Sequence, residues 1–160
     1  MFKKILVYLD GSAHSERILP YAIAQAHHFG SKLILLRIGS AAPITTSVSS
    51  PENYRVVSSV AMDIAITNEL EESKSYLSRL SREISEKGLD VDIATILGPV
   101  ADTIIKFIKD NSIDLVAMTS HAYKGWKRLF LGNAVDEILR ECDIPVLVIK
   151  PQETQCVSAT

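Results

Sequence analysis

Apolar runs alternate along this chain with segments in which apolar residues recur at helical spacing. Four short runs bounded by turn residues predict buried strands at residues 3–9, 32–38, 113–118 and 145–149. A fifth segment, residues 89–97, alternates between apolar and polar positions and predicts a strand with one wetter end, at an edge of the sheet. Strands that are apolar on both sides are typical of a parallel sheet covered on both faces.

Four helices are predicted between these strands. The first begins after Ser12, a favourable N-cap, and ends at Gly30. The second has an apolar stripe over residues 66–84, the third follows Pro99, and the fourth follows Gly132. Strands and helices in strict alternation indicate a series of parallel βα units.

Residues 39–62 show neither period, because Ser, Thr and Pro dominate the first part of the segment. The segment is interpreted as a long loop. Loops of this length in compact domains are functional or disordered, so a lid and a variable or disordered connection both stay open.

The whole pattern predicts one α/β domain over residues 1–151, with five mainly parallel strands in an open sheet and four helices, followed by a loose tail at 152–160. Ligands of such sheets bind outside the carboxyl ends of the strands, where the strand order reverses. The loops after the first and fourth strands are therefore the candidate site.

Composition narrows the class of protein. The chain has 160 residues, 47% of them hydrophobic, and its 17 basic and 19 acidic residues give a formal net charge of −2. This charge predicts no nucleic-acid partner, and no apolar run has the length of a membrane span. Cys142 and Cys156 form no C-x-x-C pair and are expected to be free thiols. We expect a cytoplasmic protein.

The loop at residues 119–131 is locally basic. It carries Lys124, Lys127 and Arg128 and no acidic residue, and the predicted helix after Gly132 would present free N–H groups to an anion. This arrangement suits a phosphate. The alternative is a surface loop that is basic by chance, with Asn133 serving only as a helix cap.

Three segments resemble the universal stress protein family over residues 2–151: KKILVYLDGSAHSERILPYA near the start, MTSHAYKGWKRLFLGNAVDEILR, and CDIPVLVIKP near the end. The resemblance implies a Rossmann-like fold, similar to that of the adenine nucleotide alpha hydrolases, with strand order 3-2-1-4-5. It also implies a homodimer and binding of ATP or related adenine nucleotides.

Nucleotide-binding members of that family share a pattern of Gly, two residues, Gly, nine residues, Gly and then Ser or Thr. In this chain the four positions hold Thr119, Ala122, Gly132 and Asn133, so one of three glycines is kept. Thr and Ala add a Cβ where glycine lets the backbone approach a phosphate closely. This departure from the glycine pattern predicts weakened affinity for the adenine nucleotide.

The resemblance implies a nucleotide site built from the ends of the first, second and fourth strands and from the start of the last helix. Asp10 matches the family's first-strand aspartate, and Ile38 matches the position that binds adenine through its backbone. The complete candidate set is Asp10, Ile38, Met118, Thr119, Ser120, His121, Ala122, Gly132, Asn133 and Ala134. The expected ligand is ATP or AMP, with Mg²⁺ accompanying ATP and no metal held by the protein itself.

Less specific roles compete with these assignments. Asp10 could simply cap a turn, and His121 could be a structural loop histidine, because only Ser120 is within reach as a partner nucleophile. No catalytic residue is assigned, although weak ATP hydrolysis stays open. The favoured function is a nucleotide-binding regulatory module in the stress response. The alternative is a dimeric interaction scaffold that binds no nucleotide.

The last predicted strand, residues 145–149, lies at a sheet edge in the order 3-2-1-4-5. An apolar edge with unpaired N–H and C=O groups favours pairing with a second copy of the chain. We therefore expect a homodimer through this strand. In the alternative, residues 152–160 fold back and cover the edge.

Overall fold

Five parallel strands form a single sheet. A computed structural model of the chain describes residues 1–39, 51–120 and 133–150, and of residues 51–61 and 133 it describes the backbone alone. The strands are β1 (Lys4–Tyr8), β2 (Lys32–Gly39), β3 (Val91–Leu97), β4 (Leu115–Thr119) and β5 (Val146–Ile149). Their order is β3-β2-β1-β4-β5 and every pairing is parallel. The predicted α/β sheet and its order are confirmed, with β3 at an edge as expected.

Four helices cover the two faces of the sheet, and these are α1 (Leu19–Phe29), α2 (Pro51–Ser85), α3 (Val100–Asn111) and α4 (Asn133–Glu141). Alternate residues of each strand point to opposite faces, so the apolar runs of β1 and β2 supply two separate cores. One core joins β1 and β2 to α1 and α2 through Ile5, Val7, Leu9, Leu33, Leu35, Ala22, Ala26, Leu77, Leu80 and Ile84. The other joins the sheet to α3 and α4 through Leu6, Leu36, Ile38, Val116, Met118, Ile104, Ile108, Val135 and Ile138.

The start of the first helix differs from the prediction. The α-helix begins at Leu19 rather than just after Ser12, and a 3-10 turn, Ser15–Ile18, precedes it. Pro20 explains the change, because it has no N–H to donate to the Glu16 carbonyl. Leu19 donates to that carbonyl instead and closes a 3-10 turn. The helix ends as predicted, with Gly30 in the left-handed conformation.

The predicted loop over residues 39–62 is wrong for its second half, because α2 begins at Pro51. Pro51 suits the first position of a helix, Glu52 suits the first turn, and no glycine or further proline interrupts residues 52–62. The missing apolar stripe over residues 52–62 was therefore a poorer guide to their conformation than the lack of helix-breaking residues among them. Residues 40–50 and the predicted tail at 152–160 lie outside the described residues.

In the described part of the chain, no helix is both long enough and apolar enough to cross a bilayer.

Candidate functional site

β1 lies between β2 and β4, and the carboxyl ends of these three parallel strands are at the same edge of the sheet. The strand order reverses at β1, because β2 follows on one side of it and β4 is added on the other. Tyr8 is paired with Leu36 of β2, and Val7 is paired with Ala117 of β4. Continuing these registers places Asp10 level with both Ile38 and Ser120. Three residues expected to contact a ligand are thus brought together at the point where the strand order reverses.

Asp10 begins a tight turn directly after β1. Its Oδ1 accepts hydrogen bonds from the Ser12 backbone N–H (2.8 Å) and from the Ser12 hydroxyl (2.6 Å). The Ser12 hydroxyl oxygen accepts in turn from the Ser15 N–H (3.1 Å), and the Ser15 hydroxyl donates to the Ser12 carbonyl (2.8 Å). Such Asx turns hold short loops in one conformation. Asp10 therefore does cap a turn, and this turn fixes the carboxylate at the edge of the sheet.

The end of β4 is enclosed by the protein. Met118, Thr119 and Ser120 are all buried, Thr119 with 4% of its surface exposed, and Ile38 at the end of β2 is buried as well. The Ser120 N–H donates to the Ile149 carbonyl of β5 (3.0 Å). The side chain at the first glycine position of the family motif, Thr119, is thus packed within the structure.

The last helix begins where the sequence predicts. Asn133 is the first residue of α4, and Ala134 is partly buried against the core that α3 and α4 share. His121, Ala122 and Gly132 lie outside the described residues, as do the basic residues of the loop. The described structure therefore places Asp10, Ile38, Met118, Thr119 and Ser120 at one edge, together with the start of α4.

A cluster beside Asp10 was missed by the sequence analysis. Arg37 of β2 lies with its guanidinium 3.6 Å from the Glu69 carboxylate of α2 and 5.4 Å from the centre of the Tyr76 ring. The same guanidinium lies over Gly11, the residue after Asp10. The available signal was a single arginine within the otherwise apolar run LILLRIG.

Charge and burial act on two tyrosines near this edge. The pKa of Tyr8 is raised to about 12, first by burial and next by the Asp10 carboxylate, while the Arg37 guanidinium opposes the rise. Burial and, next, the Glu16 carboxylate also raise the pKa of Tyr76. Both phenols therefore stay protonated at neutral pH and cannot act as general bases there.

Among the described residues, no group of three or more His, Cys, Asp or Glu side chains is arranged to hold a metal ion.

Sequence comparison relates this chain to one family. The family model described as the universal stress protein family matches residues 1–150. Universal stress protein YxiE of Bacillus subtilis is 28% identical over 156 residues, covering 94% of this chain and 100% of the relative. Universal stress protein MJ0577 of Methanocaldococcus jannaschii is 26% identical over 159 residues, covering 94% of this chain and 96% of the relative.

Solved structures share the fold. The structure of MJ0577 superposes with a TM-score of 0.75 at 23% identity, covering 96% of this chain and 99% of that one. A universal stress protein in complex with cAMP gives 0.63 at 17% identity, covering 92% and 96%. A universal stress protein family member of Arabidopsis thaliana with AMP bound gives 0.56 at 18% identity, covering 98% and 96%.

Proposed function

This chain belongs to the universal stress protein family, and from that premise we propose that it binds an adenine nucleotide, ATP or AMP, as a regulatory module of the stress response. The observation that carries the proposal is the convergence of Asp10, Ile38 and Ser120 where the strand order reverses. Two proteins of the same fold hold cAMP and AMP. These ligands support the adenine nucleotide class for this chain.

Each part of the nucleotide has a matching group in this proposal. Asp10 accepts hydrogen bonds from the sugar hydroxyls, and the backbone at Ile38 pairs with the adenine edge. The N–H groups at the start of α4, from Gly132 to Ala134, bind the phosphates together with the basic loop. His121 and Ser120 lie in the same segment as phosphate donors. Mg²⁺ enters only with ATP, held by phosphate oxygens.

The affinity is expected to be lower than in family members that keep every motif glycine. Thr119 and Ala122 carry a Cβ where those proteins have none, which holds the phosphates further from the backbone. Asn133 replaces a hydroxyl residue but keeps a donor in its amide.

The first test is a calorimetric titration of the purified protein with ATP and AMP, followed by denaturation and identification of released nucleotide. Asp10→Asn and Gly132→Val should each weaken binding several-fold. Asp114→Asn is the matched control, because Asp114 lies at the opposite end of the sheet, and its affinity should equal that of the wild type. Unchanged affinity in a folded Gly132→Val variant would reject the placement of the phosphates.

The second candidate function is a scaffold that binds no nucleotide. It is favoured by Thr119 and Ala122 at two motif positions. If the wild type binds neither ATP nor AMP in the titration above, the scaffold function replaces nucleotide binding.

Sustained nucleotide turnover is not expected under either function. The candidate loops offer Asp10 and His121 but no set of base, nucleophile and orienting group in sequence. ATP hydrolysis that survives rigorous purification and disappears in Asp10→Asn would contradict this expectation, whereas a slow rate insensitive to that substitution would agree with it.

The proposed partner is a second copy of the chain, paired through β5.

The proposed compartment is the cytoplasm. The chain has two cysteines without C-x-x-C spacing, which is typical of proteins in a reducing compartment.

A further inference from the structure

Arg37 is a charged residue in an otherwise apolar part of β2, and 13% of its side chain is exposed. A guanidinium so far removed from water needs partners, because desolvation disfavours an unpaired charge. Glu69 supplies the opposite charge at 3.6 Å, and the Tyr76 ring lies 5.4 Å away at cation–π distance. Both partners come from α2. The arginine is therefore held from the helix side of the sheet.

Two glycines make room for this ion pair. A Cβ added to Gly11 would lie 3.1 Å from Arg37 Cζ, and one added to Gly39 would lie 2.8 Å from Glu69 Cγ. Gly11 also has φ +89°, which L side chains rarely adopt. The pair thus packs directly against the backbone at both ends, and at one end that backbone is the turn between Asp10 and Ser12.

The Arg37 charge also reaches the neighbourhood of Asp10. The two groups act in opposite directions on the pKa of the Tyr8 phenol, which Asp10 raises and Arg37 lowers. Tyr8 is part of β1, two residues before Asp10. Arg37 is thus close to the turn both by packing and by electrostatics.

We propose that Arg37 is a positioning residue for Asp10, with Glu69 and Tyr76 of α2 holding its guanidinium against Gly11 so that the turn keeps one conformation. Its effect on affinity rests on the proposed nucleotide function, whereas its effect on the turn does not. Arg37 acts through the turn and does not touch the ligand.

The principal variant is Arg37→Met, which removes the charge and keeps an apolar chain. Affinities for ATP, AMP and adenosine are measured by calorimetry. We expect all three to fall by the same factor, about fivefold or more, because Asp10 serves the nucleoside that the three ligands share. Arg37→Lys should recover part of the loss. Arg82→Met, an exposed arginine of α2, should bind as the wild type does.

A loss that is larger for ATP than for adenosine would overturn the proposal, since it would show the guanidinium binding phosphate directly. If the wild type binds these ligands, an equal affinity of Arg37→Met would overturn it as well.

A second readout needs no nucleotide. The Ser12 N–H donates to Asp10 Oδ1 and the Ser15 N–H donates to the Ser12 hydroxyl oxygen, so amide hydrogen exchange reports on the turn. Arg37→Met should speed exchange at Ser12 and Ser15 and leave the amides of the β1 core unchanged. Glu69→Gln should also speed exchange at Ser12 and Ser15. This variant provides the test if Arg37→Met fails to fold.

The two readouts separate the two proposals. Unchanged protection at Ser12 and Ser15 in both folded variants would overturn the positioning role, whatever the nucleotide result. If exchange at Ser12 and Ser15 is faster in the variants, the positioning of the turn is supported even when the wild type binds no nucleotide. The lack of binding by the wild type would then reject the proposed function alone.

Discussion

Two aspartates hold backbone N–H groups at opposite ends of the sheet. Asp10 does so at the carboxyl end through Ser12. Asp114 does so at the amino end, where its Oδ2 accepts from the N–H groups of Lys3 (2.8 Å) and Lys4 (2.9 Å). Ligands of open α/β sheets bind at the carboxyl ends of the strands, so Asp114 lies at the end of the sheet away from the proposed site. Asp114 is a structural residue.

The stability of the protein should depend on the ionisation of Asp114. Hydrogen bonds from the backbone of Lys4 and then Lys3 hold the pKa of this carboxyl below its ordinary value of 3.8. The contribution is therefore present above pH 3.8 and is lost as the pH falls through the lowered folded-state pKa. In urea unfolding at several pH values below about pH 4, Asp114→Asn should lose stability less steeply than the wild type. Glu72→Gln, at an exposed position inside α2, should follow the wild-type curve, and identical slopes in all three proteins would contradict the role of Asp114.

At the scale of the element, two helices end in the left-handed conformation with different residues. The residue after α1 is Gly30 (φ +63°), and the residue after α3 is Ser112 (φ +52°). Each donates its N–H back to the last turn, to Ala26 and Ile108 respectively. Glycine adopts this conformation freely, whereas serine is strained in it.

Exchanging residue types at these two ends should change stability in opposite directions. Ser112→Gly should raise the free energy of unfolding by about 0.5–1 kcal/mol, and Gly30→Ala should lower it by about 1 kcal/mol. A Cβ at Gly30 would meet nothing within 4 Å, so the expected loss is conformational rather than steric. Chemical denaturation measures both. A Ser112→Gly variant less stable than the wild type would show that the serine side chain outweighs the strain.

The two edge strands differ in their suitability for pairing with another chain. β3 carries Asp92, an exposed charge that discourages a second strand. β5 has the sequence VLVI, with no charged residue. Its register also shows which groups face outward, because the Pro145 carbonyl accepts from Val116 of β4 and the Ile149 carbonyl accepts from Ser120, the residue after β4. By the alternation of a parallel ladder, Val146 and Val148 direct their N–H groups away from β4.

For the whole molecule, we predict a homodimer in which two copies of β5 pair antiparallel about a twofold axis. Val148→Pro removes an outward donor and should give a monomer, whereas Val148→Ala keeps the donor and should stay dimeric. Light scattering at micromolar concentration measures the mass of each. A wild type that is monomeric under these conditions contradicts the dimer.

Local patterns were sufficient to predict most elements, because the spacing of buried residues differs between strands and helices and is visible within a few residues of sequence. The runs ending at Leu9 and Ile38 identified β1 and β2, and Gly30 marked the end of α1. The strand order came from the family resemblance rather than from periodicity. Two boundaries depended on details that periodicity does not report: the missing N–H of Pro20, and the absence of breakers after Pro51.

The sequence by itself thus determined the type and succession of the elements and the segments that end at the carboxyl edge of the sheet. Only the tertiary structure decided which residues meet there. Arg37, Gly11 and Glu69 are far apart along the chain and come together because β2 lies beside β1 and α2 packs over β2 and β3. Such contacts depend on strand order and helix placement, which no local pattern encodes. An arginine in an apolar strand is therefore visible in the sequence, but its partners are not.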